Sequence, residues 1–132
     1  MTTLFATPAT LNDTKPVGRV NRGRVVLWVG QFVIAAAFLF AGGSKLVGTA
    51  PMVGMFGAIG IQWGRYLTGA IEVASAIALL VPALAPYGAV ALAVTMIGAV
   101  LTHLFVIGGS PLPALVLGVG SAMIAWARRD QF

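Results

Sequence analysis

Glu72 is the one acidic residue inside the apolar body of this 132-residue chain, since the other two, Asp13 and Asp130, lie near its ends. A carboxylate within a hydrophobic run faces the protein interior and demands a partner. The candidates are Lys45, Arg65 and His103, the last being the sole histidine. An acid, a base and an imidazole together can hold a polar headgroup or pass protons. The same residues can also form a plain ion pair that staples two helices, for which Arg65, two turns before Glu72 on the same face, is suitably placed. Burial works against the Glu72 charge and a close cation works for it. The sequence leaves both readings open.

Other chemistries are excluded or disfavoured by what is missing. There is no cysteine, so no disulfide, thiol relay, iron-sulfur cluster or thiolate site can form. A zinc site needs about four ligands, at least three of them from protein in catalytic sites, and one histidine does not supply them. No metal site is expected. A bis-histidine haem cannot form within one chain, which disfavours haem, although a five-coordinate haem or a site shared between copies stays open. No nucleophile elbow with a Ser-His-Asp pattern is present. Gly42-Gly43 and Gly108-Gly109 fit helix packing and turns better than a phosphate cradle.

With 59% hydrophobic and 8% charged residues, and a mean hydropathy of +0.99, the chain lies far from soluble domains, where about a quarter of residues are charged. The net charge of +5 would suggest nucleic acid in a soluble domain. Here Lys15, Arg19, Arg22, Arg24, Arg128 and Arg129 lie outside the apolar runs, so the expected partner is the lipid bilayer and not nucleic acid.

The elements that carry the polar residues follow from the apolar runs. Residues 1–24 read as a disordered, basic cytoplasmic tail. A signal peptide fits less well, because the next apolar run is about twenty residues long. The spans are expected at about 25–46, 66–81, 87–107 and 112–127, forming one membrane domain over 25–132. In the first, Gln31, Ala35, Phe38, Gly42 and Lys45 share a face suited to a bundle interior. Small or weakly polar stripes recur: Thr68, Gly69, Ser75 and Ala76 beside Glu72; Gly88, Ala91, Thr95, Gly98 and Thr102; Ala114, Gly118, Ser121 and Ala125. Pro51 is expected to open a short helix whose Met52, Met55, Phe56, Ile59 and Trp63 form a stripe, packed into the core or lipid, or roofing a pocket. Trp63 and Tyr66 suit headgroup depth. The fold class is therefore all-α, an integral membrane four-helix bundle with both termini cytoplasmic by the positive-inside rule.

That topology sets depths. Lys45 falls near the outer surface, Glu72 roughly 9 Å below it and His103 roughly 6 Å below it at helical rise. Three helices thus deliver Lys45, Glu72 and His103 to one layer.

Ala41-Gly42-Gly43-Ser44-Lys45-Leu46 at the end of the first span, Gly69 and Glu72 followed by Leu79-Leu80 and Pro82, and Ile97-Gly98-Ala99-Val100-Leu101-Thr102-His103 together resemble the DoxX-like family of small four-helix bacterial membrane proteins. Ser75 stands where such proteins are expected to carry glycine. The resemblance covers residues 25–127 and implies a multi-pass protein of the bacterial inner membrane. Some of its members are membrane subunits linked to quinone-dependent oxidation of sulfur compounds and others to oxidative-stress complexes. It implies a small subunit that binds a quinone or similar lipid-soluble redox partner and supports a membrane oxidoreductase, with a redox protein partner or a homo-oligomer. Whether it is itself an enzyme is left open. In that reading Glu72 and His103 are the catalytic, proton-handling candidates, and Lys45, Arg65, Thr102 and Trp63 the ligand-binding ones. The alternative is a non-catalytic scaffold or assembly factor for a larger membrane protein. A small transporter is disfavoured, because four short spans enclose little volume.

Overall fold

The computed structural model describes residues 22–132; the expected tail lies outside the described residues except for Arg22, Gly23 and Arg24, which open the first helix. Among the described residues there are five α-helices: α1 (Arg22–Val47), α2 (Ala50–Ile59), α3 (Gln62–Leu79), α4 (Ala85–Thr102) and α5 (Leu112–Ala127). No strand occurs among the described residues. α4 runs on into a π-helical turn, His103–Ile107, and the chain ends on a 3-10 turn, Arg129–Gln131. The sequence predicts that turn as ordinary helix. A π turn is wider, with i→i+5 bonding, and such turns are frequent at functional sites.

α1 packs along α3, α3 along α4, and α4 along α5, while α5 returns to α1. The buried face of α1 is Gln31, Ala35, Phe38 and Gly42, the face that the spacing singles out. Gly64, Arg65, Gly69, Glu72, Ser75, Ala76 and Leu79 form the buried face of α3. One apolar cluster joins the helices through Phe38, Leu79, Leu92, Met96 and Ile124, with Ala35, Ala76 and Ala89 filling the narrow contacts. Outside it the surface stays apolar: Val26, Phe32 and Phe40 on α1, Val94 and Ile97 on α4, and Val116 and Met123 on α5 are all exposed. Apolar surface on this scale marks contact with lipid or with another protein.

By length and composition, α1 and the continuous run Ala85–Ile107 can each cross a membrane. α5, with 16 residues, spans only about 24 Å. α3 has 18 residues, including Arg65 and Glu72, and is less apolar than the other two. These helices fit a membrane protein.

α2 is shaped by its ends. Pro51 lies in its first turn, where a missing N–H costs nothing. Gly60, at φ 84°, closes it by donating its N–H to the Phe56 and Gly57 carbonyls, a left-handed cap that glycine adopts without strain. Gln62 Nε2 then donates to the Val53 carbonyl at 2.8 Å, which ties α2 to the start of α3.

The stripe predicted for α4 needs correction. Gly88 does meet α3, where an added Cβ would lie 2.7 Å from the Ser75 carbonyl oxygen. Beyond it, the buried contacts are made by Ala89, Leu92 and Met96. Thr95, Gly98 and Thr102 instead border a cavity. Small side chains bring helices together only where another helix stands opposite; in this half of α4 they leave space.

Candidate functional site

The site grows from the crossing of α1 and α3. A Cβ at Gly42 would lie 2.9 Å from the Gly69 carbonyl oxygen, and one at Gly69 would lie 3.0 Å from the Gly42 carbonyl oxygen. The two helices therefore touch backbone to backbone, and this brings Lys45 and Glu72 together. Lys45 Nζ donates to Glu72 Oε1 at 3.1 Å and to Oε2 at 2.9 Å. Glu72 is 1% exposed and Lys45 12%, so the pair is almost wholly out of solvent. A charge so placed is stable only with its partner present.

The pair forms part of the wall of a cavity of about 420 Å³. Small-molecule sites commonly enclose roughly 300–1,000 Å³ and are apolar with a few convergent polar groups. Here Phe38 and Ala41 come from α1, Met52, Met55, Phe56 and Ile59 from α2, Thr68 from α3, Met96 from α4 and Leu117 from α5. The polar lining is Lys45, Glu72, Thr68, Thr95, Thr102 and His103. Met52, Met55, Phe56 and Ile59 thus face the cavity from α2, as a roof would.

His103 belongs to the π turn, and its Nδ1 lies 3.0 Å from the Gly108 carbonyl oxygen. A carbonyl can only accept, so Nδ1 carries the hydrogen. In the neutral ring Nε2 then holds a lone pair. The three threonine hydroxyls each donate to the carbonyl one turn back: Thr68 to Gly64 at 2.7 Å, Thr95 to Ala91 at 2.8 Å and Thr102 to Gly98 at 2.8 Å.

Lys45, Glu72, Thr102 and His103 thus share one cavity. Arg65 and Trp63 do not line it. Arg65 lies on the buried face with Glu72, but its guanidinium donates to the Lys45 main-chain carbonyl and to Gln62 Oε1. That carbonyl is one of the last four of α1, which have no partner within the helix. Arg65 caps α1, and its positive charge suits the helix C-terminus. Trp63 is 66% exposed. Its place in the α2 stripe fails because the chain turns at Gly60, so the helical phase of Met52–Ile59 does not carry over to position 63. Among the described residues, no group of three or more His, Cys, Asp or Glu is placed to hold a metal.

A second polar contact is not foreseen from the sequence. Gln31, fully buried, donates Nε2 to the Leu79 carbonyl at 2.8 Å, and Arg128 Nε donates to Gln31 Oε1. The Arg128 guanidinium also sits 4.9 Å from the Trp28 ring centroid. Burial, and secondarily the nearby Arg24 charge, lower the Arg128 pKa. A lone amide in an apolar run was the available signal; its partner, 97 residues away, was not readable.

A family model described as the DoxX-like family matches residues 29–128. No curated protein and no solved structure matches the chain.

Proposed function

Because the chain belongs to the DoxX-like family, we propose that it is a multi-pass bacterial inner-membrane protein, a four-helix bundle with both termini cytoplasmic, that binds a quinone or similar lipid-soluble redox molecule for a membrane oxidoreductase complex. The supporting observation is the cavity: an apolar chamber bounded by all five helices, with the Lys45–Glu72 pair and His103 among its walls. Lys45 donates to a headgroup oxygen of the ligand, His103 and Thr102 add polar contacts, and Glu72 holds Lys45 in place or exchanges a proton with it. Arg65 acts on the ligand only by capping the helix that carries Lys45. α1, α3, α4 and α5 are the spans, and α2 lies at the outer interface over the cavity. The α3–α4 linker lies on the same side as the C-terminus, for Gln131 Nε2 approaches the Pro82 carbonyl at 3.4 Å.

Mild extraction followed by mass spectrometry tests this reading. Bound quinone should be recovered with the wild-type protein and reduced in Glu72→Gln, with helicity unchanged. Normal quinone retention by that variant sinks the role given to Glu72.

One observation favours a second reading, a non-catalytic scaffold for a larger membrane protein: both oxygens of Glu72 are occupied by Lys45, as in a structural staple. In that case Glu72→Gln lowers the unfolding temperature, leaves ligand content unaffected, and a constant protein partner co-purifies.

A further inference from the structure

The hydrogen-bonding character of the cavity wall says which form of the ligand it suits. A quinone presents carbonyl oxygens, which only accept. Its two-electron, two-proton reduced form, a hydroquinone, presents hydroxyls, which also donate. A wall that suits the first must donate, and one that suits the second must accept.

The polar groups lining this cavity are almost all acceptors. The Thr68, Thr95 and Thr102 hydrogens are given to the Gly64, Ala91 and Gly98 carbonyls, so each hydroxyl has lone pairs left and no hydrogen. To donate to a ligand, each would have to abandon a bond within its own helix. His103 donates Nδ1 to Gly108, and Nε2 makes no hydrogen bond among the described residues. A neutral ring therefore offers the cavity an acceptor. Glu72, as a carboxylate, accepts only. Among the described residues of the wall, the sole side-chain donor is Lys45, which already serves both Glu72 oxygens and has at most one hydrogen to spare.

We infer that the cavity is a hydroquinone-selective site: it binds a hydroxyl-bearing, phenolic amphiphile in preference to the carbonyl-bearing quinone of the same shape, with His103 Nε2 and the Thr95 and Thr102 hydroxyls accepting from the ligand O–H groups. This deepens the ligand-binding reading above and rests on it. The site is on this account the binding place of the reduced partner, so the associated chemistry is one that delivers or withdraws the hydroquinone.

The test uses the full chain in lipid nanodiscs and three probes of one skeleton under anaerobic conditions: a benzoquinone with a ten-carbon tail, the hydroquinone made from it by chemical reduction, and the dimethyl ether of that hydroquinone. The ether keeps the ring and the tail, carries a methyl group on each oxygen, and lacks the O–H donors. The hydroquinone should bind roughly tenfold tighter than either of the others, the scale of one good added hydrogen bond. Thr95→Val/Thr102→Val, which keeps shape and loses the hydroxyl acceptors, should reduce hydroquinone affinity several-fold more than quinone affinity, with an unchanged helical spectrum. His103→Leu provides the same comparison from the other wall. Quinone binding as tight as hydroquinone binding, or ether binding as tight as hydroquinone binding, overturns the selectivity and leaves the cavity as a quinone site. Failure of all three probes to bind overturns the underlying reading as well.

Discussion

Gly42 on α1 stands against Glu72 on α3, where a Cβ on the glycine would lie 3.1 Å from the Glu72 Cβ. Gly69 stands in the same way against Lys45, at 3.0 Å. Each glycine therefore makes room for the charged residue of the opposite helix, and the antiparallel register 42 with 72 and 45 with 69 sets the ion pair. Geometry and electrostatics depend on the same four positions.

The first prediction concerns that crossing. Gly42→Leu or Gly69→Leu must push α1 and α3 apart, since the obstructing atoms include backbone carbonyl oxygens that cannot rotate away. Overpacking of this kind costs about 1–3 kcal/mol. Unfolding in detergent, followed by circular dichroism, should show that loss together with weaker ligand binding, because the Lys45–Glu72 contact is pulled open. Gly30, whose Cβ would meet nothing within 4 Å, is the control: Gly30→Leu should leave stability within about 0.5 kcal/mol of wild type.

A second prediction separates the pair from its individual charges. Removing one partner leaves the other charge buried, and truncating one side of such a pair costs about 3–5 kcal/mol. Lys45→Met and Glu72→Leu should each approach that loss. The double variant Lys45→Met/Glu72→Leu leaves no orphan charge and should regain most of the stability. Denaturant unfolding of the four proteins completes the cycle; simple additivity would show that the two residues do not stabilise each other.

Much of this site is legible in the sequence, for identifiable reasons. Glu72 announces itself because an acid in an apolar run is costly, and helical rise then places Lys45 and His103 in its layer. The buried face of α1 is legible because Gln31, Ala35, Phe38 and Gly42 repeat with the period of a helix. The failures are equally physical. Arg65 shares a face with Glu72, yet the open carbonyl at the end of α1 claims its guanidinium, and helix-end capping across 20 residues leaves no periodic trace. Trp63 follows a left-handed turn that resets the phase of the helix. Thr95, Gly98 and Thr102 read as a packing stripe, since small residues signal either close contact or empty space, and only the position of α2 decides between them.

A third prediction fills that empty space. A Cβ at Gly98 would meet nothing within 4 Å, so Gly98→Phe can enter the cavity without displacing backbone. Stability should change by no more than about 0.5 kcal/mol, while a quinone or hydroquinone probe should be excluded. Equilibrium binding in nanodiscs measures the effect, and full retention of the probe would place the ligand elsewhere.

The opposite end of the molecule supplies a fourth. Gln31 satisfies the buried Leu79 carbonyl and holds Arg128 through Oε1. Gln31→Leu leaves that carbonyl without a partner, and an unsatisfied buried acceptor costs about 1–3 kcal/mol. Gln31 does not line the cavity, so the unfolding midpoint should fall while probe affinity measured below that midpoint stays the same. A parallel loss of affinity would mean that the two ends are coupled through α1 and α3.

The fifth prediction addresses the membrane. The chain has no cysteine, so a single introduced thiol reports its own side without background. The C-terminal turn meets the α3–α4 linker, with Tyr87 and Phe132 in edge contact at 5.3 Å, whereas Gly108–Pro111 follows the opposite end of α4. On the proposed topology, the basic residues Arg128 and Arg129 mark the first of these ends as cytoplasmic. In intact spheroplasts, Ser110→Cys should react with a membrane-impermeant maleimide, and Ala83→Cys only after the membrane is permeabilised. The reverse pattern would invert the topology and place Lys45, Glu72 and His103 in the inner leaflet half. Equal labelling of both positions before permeabilisation would contradict a chain that crosses the bilayer between them.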